Sequence, residues 1–243
     1  MATHEKDSLL EQLQGKSREE LLELLAQIMQ KQPEINDLLE VLLNVPLTGE
    51  ALAAQKPGVG RVRTLEPATI RSQVKAAFVQ AGHAWGYSLL AATDLERVLD
   101  IGDRFTEAGQ WANAQIVYAT VADEILPSYE ELEEEDHIAG TLQGCIGGLL
   151  SCLEAQKELP AEDQLEESDR QALLVSLLAL WKHGCEYGLE VDAIPEVLAQ
   201  QGTADERRRI EAWVQREKTL GEASGNTWLE RHLADFLAIF AER

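Results

Sequence analysis

From Pro67 onward the chain repeats one pattern: apolar residues three or four positions apart, on segments of several helical turns, separated by short polar, glycine or proline breaks. Residues 93–127 show it most clearly. Thr93 and Glu96 have capping-box spacing and predict a helix start at Thr93. Leu95, Val98, Leu99, Ile101, Gly102 and Phe105 follow at helical spacing. Gly109 offers the left-handed conformation that ends a helix. A second helix is predicted over 110–126, with Trp111, Ala114, Ile116, Val117, Tyr118, Val121 and Ala122 as its apolar set, and Pro127 is expected to stop it. Small residues at Gly102, Ala114 and Ala122 allow close approach of the two helices, and Phe105 and Tyr118 fill the gaps. The expected product is a helical hairpin.

The same periodicity predicts helices over 67–82, 136–159, 168–188, 203–220 and 227–240, with a short extra turn over 192–200. The aromatic residues on these faces, Trp181, Trp213 and Trp228 among them, are expected in the core. Residues 1–45 form a separate small unit of two or three short Leu-rich helices, with a capping box at Ser17 and Glu20. Residues 46–66 read as a linker, because they hold two prolines and three glycines and show little helical period. The expected architecture is all-α: an N-terminal helical unit over 1–45, a linker over 46–66, and a helical-repeat domain of stacked antiparallel hairpins over 67–243. Stacking is required because one hairpin cannot bury its apolar face alone.

Charge narrows the function. The formal net charge is -22 over 243 residues, which opposes binding to nucleic-acid phosphates and to anionic membranes and suits a basic protein partner. The polar N-terminus and the lack of a long apolar run predict neither a signal peptide nor a membrane span. Three cysteines scattered through helical segments predict reduced thiols and a cytoplasmic protein.

Candidate chemistry is sparse. Cys145, Cys152 and Cys185 lack the pair spacing of zinc ligands and read as buried packing residues. Glu134 and His137 have the spacing of one half of a di-iron site, but no second such pair exists. The expectation is no metal, no cofactor and no catalytic residue. The acidic run that includes Glu130, Glu131, Glu133, Glu134, Glu135 and Asp136 reads as a solvated loop or as a surface that steers a basic partner. Trp85 and Tyr87 flank Gly86 in an expected break between helices, where core packing constrains them least, so they join the acids as candidate partner contacts.

The spacing of Gly102, Phe105, Gly109, Ala114 and Tyr118 resembles the tetratricopeptide repeat. On a longer scale, residues 18–215 resemble the helical region that accompanies SWIM-type zinc fingers in bacterial proteins. Three stretches carry this resemblance: LLELLAQIMQKQPEINDLL; IRSQVKAAF followed by the Trp-Gly-Tyr break and DLERVLDIGDRFTEAGQWANAQIVYATV; and LLVSLLALWKHGCEYGLEVDAIPEVLAQQGTADERRRIEAWV. The Cys-x-Cys and Cys-x-His pairs of the finger itself are missing, so no zinc or nucleic-acid role carries over. The resemblance implies a scaffold or adaptor subunit of a bacterial complex. Two other classes remain open: an acidic inhibitor that mimics nucleic acid, and a hydrolase with a carboxylate or thiol site.

Overall fold

A computed structural model describes residues 16–31, 64–81, 87–131, 136–224 and 227–241, and all its regular structure is helical. The chain divides into two units, Met1–Asn44 and Val45–Arg243. In the first unit, helix α1 (Arg18–Lys31) opens on the expected capping box: the Glu20 N–H donates to Ser17 Oγ at 3.2 Å, and the Ser17 N–H donates to Glu20 Oε2 at 2.8 Å.

The second unit contains α2 (Pro67–Ala81), α3 (Tyr87–Glu107), α4 (Trp111–Ile125), a 3-10 helix (Leu126–Glu131), α5 (Asp136–Ala155), α6 (Glu167–Tyr187), α7 (Ala193–Gln201), α8 (Ala204–Ser224) and α9 (Thr227–Ala241). Helices α2, α3, α4 and α5 pack on one another. Helices α8 and α9 pair, and α9 also meets α7 and α6. Most of the expected linker lies outside the described residues. Its last part does not: Leu65 is buried, and its N–H donates to Asn113 Oδ1 at 2.8 Å.

The α3–α4 hairpin forms as the pattern predicts. Gly109 has φ +70°, and the Gln110 N–H reaches back to the Phe105 carbonyl at 2.8 Å, so the helix ends in a left-handed cap. Tyr118 is the centre of this half. It is 2% exposed, and its ring lies between Gly102 of α3 and Gly148 of α5. A Cβ on Gly102 would sit 2.7 Å from the ring, and one on Gly148 would sit 2.5 Å from it, so either methyl displaces an aromatic group. The phenol donates to Asp103 Oδ1 at 2.6 Å, which keeps this large side chain satisfied inside the core. Burial pushes its pKa up.

Three expectations need correction. Helix α3 begins at Tyr87, so Thr93 is inside it and does not cap it. Leu89, Leu90, Ala91 and Ala92 include good helix formers that extend the helix backward, and Thr93 Oγ1 donates instead to the Leu89 carbonyl at 3.0 Å. Tyr87 is therefore the first residue of a helix, not part of a break. As expected, α4 stops just ahead of Pro127, at Ile125, and the chain continues as the 3-10 helix that contains the proline. That turn buries Tyr129 against Tyr187, with ring centroids 4.6 Å apart. Trp228 is 43% exposed, so it is not a core residue. Its ring lies instead beside His232, at 4.2 Å.

Helix α5 from His137 to Ala155 is long and apolar enough to cross a membrane. Its apolar face has another use here: Ile138, Leu142, Ile146, Leu149 and Leu153 are buried, and the helix packs on α3 and α4.

Candidate functional site

Where α6 meets α7 and α8, polar bonds add to apolar packing such as the edge contact of Trp181 with Trp213, ring centroids 6.5 Å apart. Arg170, in the first turn of α6, donates to both oxygens of Glu206, from Nε at 2.6 Å and from Nη2 at 3.1 Å. Its Nη2 also donates to the Gln201 carbonyl at the end of α7, at 2.9 Å. Glu206 accepts the Thr203 N–H at 2.7 Å, and Thr203 Oγ1 accepts the Glu206 N–H at 3.2 Å, a reciprocal cap on α8. One carboxylate thus caps one helix and clasps another. Burial alone pushes the Glu206 pKa up, but the Arg170 and Thr203 donors overcome it and hold the carboxyl below its ordinary value.

A second ion pair, Lys182 to Glu217 at 2.7 Å, joins the same two helices further along. Twelve residues on α6 and eleven on α8 separate the two clasps, in the same chain direction, so α6 and α8 run side by side with clasps about 16–18 Å apart. Between them lies an apolar slot of about 150 Å³ lined by Leu174, Val175, Leu178, Ile210 and Trp213. Val175 is 60% exposed there.

The connection between α5 and α6 is pinned by side-chain amides. Gln156 Oε1 accepts the Leu165 N–H at 2.6 Å, and its Nε2 donates to the Cys152 carbonyl at 3.0 Å. Gln115 of α4 donates to the Asp169 carbonyl at 2.7 Å. Beside this connection is an open cleft of about 500 Å³, lined by Gln156, Lys157, Gln164, Glu167, Gln200 and Gln201 together with the Arg170–Glu206 clasp. Also beside it is an opening of about 290 Å³ whose lining includes Trp111, Asp163, Glu166 and Asp169 and, among the described residues, no Lys or Arg. Gln164 and Leu165 line both. Glu167 and Glu206 line both the cleft and the slot. The three openings are neighbours that share these residues and follow one another as a track along the start of α6: acidic, then largely amide-lined, then apolar.

Two buried polar atoms of residues along these openings have no hydrogen-bond partner among the described residues: the acceptor Gln201 Oε1 and the donor Trp111 Nε1. Each such group costs about 1–3 kcal/mol when left unpaired.

None of the three cysteines is among the residues that line the track. The three thiols are free and buried in the core. Burial raises the pKa of all three, that of Cys152 to about 12. A thiol held protonated is a poor nucleophile. Among the described residues no group of three His, Cys, Asp or Glu side chains is placed to hold a metal.

Trp85, Glu133, Glu134 and Glu135 lie outside the described residues, as do the side chains of Tyr87, Glu130, Glu131 and Asp136. At the start of the same acidic run, Glu124 serves the fold: it binds Arg71 of α2 at 2.5 Å and Lys75 at 3.7 Å. Sequence reasoning missed the track. The Thr-x-x-Glu spacing at 203 and 206 announces the cap, but nothing in the sequence pairs Glu206 with a residue 36 positions earlier.

Compared with models of protein families, with curated proteins and with solved structures, the chain matches none.

Proposed function

We propose that this chain is a non-catalytic protein-binding subunit, a scaffold or adaptor, and that the track along the start of α6 is its binding surface. The observation that carries this reading is the cleft itself. It is open and about 500 Å³, within the range of ligand sites. Its lining combines side-chain amides, a clasp whose two charges already neutralise each other, and Lys157 and Glu167. Such walls offer a peptide hydrogen bonds and charge. The cytoplasmic setting, the tetratricopeptide-like stacking and the relation to the helical region of SWIM-finger proteins belong to the same proposal. An acidic nucleic-acid mimic fits less well, because the lining of the track includes amides and an apolar slot rather than a surface of acids alone.

The test is a block. Gln164 is exposed and lines both the cleft and the acidic opening. A tagged Gln164→Trp chain should retain the parent's melting temperature and lose a protein that co-purifies with the parent from its native cells. Equal recovery of every co-purifying protein would refute the reading.

A further inference from the structure

The chemistry of the track narrows what occupies it. Side-chain amides line the cleft, and an amide pairs with a donor as well as with an acceptor. An extended polypeptide presents C=O and N–H groups along its length and supplies both. A helix has already spent them on itself. The acidic opening has Asp163, Glu166 and Asp169 in its lining and no basic side chain among the described residues, so it suits a cation. Arg170 cannot supply that charge, because Glu206 holds it at two points. The slot between α6 and α8 is apolar and, at about 150 Å³, admits one side chain and not a helix.

We infer that the track binds an extended segment of another protein bearing one cationic and one apolar side chain. The cation sits in the acidic opening, the main chain in the amide-lined cleft and the apolar side chain in the slot. This rests on the protein-binding reading and adds the chemistry of the ligand to it. The overall charge of -22 draws such a segment in from a distance.

The experiment is an NMR titration of the full chain with short end-blocked peptides holding one Lys and one Leu separated by three Ala, in both orders. The indole N–H signals of Trp111 and Trp213, assigned with Trp→Phe variants, report the two ends of the track. In one order of the peptide, both signals should shift and saturate below about 5 mM, a range suited to a short segment. Replacing the Lys by Glu, or N-methylating the central amides, should weaken binding about tenfold or more. Three results would overturn the proposal. Neither indole may respond to either order; the Glu or N-methylated peptides may bind as well as the parent; or binding may appear only after Lys56, Arg61 and Arg63 are changed to Glu. The last would give the track to the chain's own basic segment, which runs up to Thr64 at the acidic opening. If the peptides fail while Gln164→Trp still abolishes co-purification, the protein-binding reading stands and only the ligand chemistry falls.

Discussion

Around Tyr118, three helices meet through apolar contact so close that two glycines are required beside the ring. Around Arg170, helices meet through an ion pair, a capping box and side-chain amides, and the space between them stays open. Both regions fix helix positions. The difference lies in what is left over. Apolar packing gains free energy by eliminating space, so the hairpin half presents a closed interior. Directional polar bonds hold elements at set distances without filling the gap, so beside the Arg170 clasp the cleft stays open between polar walls. The hairpin half supplies stability, and the joint supplies a surface.

The largest effect that tests this division comes from the closed half. Tyr118→Ala removes a fully packed ring and should destabilise by about 3–5 kcal/mol, read from denaturant melts. A variant that melts with the parent would mean that the hairpin is not the stabilising core. Arg170→Met should cost about 2–3 kcal/mol, because it leaves the Glu206 carboxylate without its charged donor. Unlike Tyr118→Ala, it should raise hydrogen exchange chiefly at the α7–α8 corner.

Gly148→Ala should cost about 1–3 kcal/mol through the Tyr118 ring. The double variant with Tyr118→Ala should cost less than the sum of the two singles, since the clash goes with the ring. Additive losses would place the strain elsewhere.

Acid should separate the two regions as well. The folded pKa of Glu206 is lowered, so its contribution is complete above the ordinary carboxylate range and is lost as pH falls through the folded value. Stability should therefore decline below about pH 4.5, and that part of the decline should shrink in Arg170→Met. An unchanged pH profile in the variant would show that the clasp does not hold the charge. The smallest effect is expected at Trp228→Ala. With its ring 43% exposed, the loss should stay below about 1 kcal/mol.

The closed half was legible in the sequence, and the open half was not. Gly102, Gly109 and Tyr118 announce the hairpin because close approach, a left-handed cap and a large filler leave local signatures. Local signals also misled. Thr93 has capping spacing, yet the helix-forming residues before it carried α3 back to Tyr87. Trp228 falls on an apolar face by period, yet that end of α9 leaves it exposed. The site escaped for a different reason. Gln156, Gln201 and Trp111 are ordinary helical residues until the fold brings them to one cleft, and Arg170 finds Glu206 only in three dimensions.

The most direct measurement is in-cell photo-crosslinking from three positions of the full chain: Gln164 on the track, Val79 beside the α2–α3 corner, where it is 79% exposed, and Glu134 in the acidic run. Adducts are identified by mass. The account predicts a protein adduct from position 164, reduced by an excess of the Lys- and Leu-bearing peptide, and none that depends on that peptide from 79 or 134. Adducts from 79 or 134 with none from 164 would contradict it and move the binding surface to the other half of the molecule.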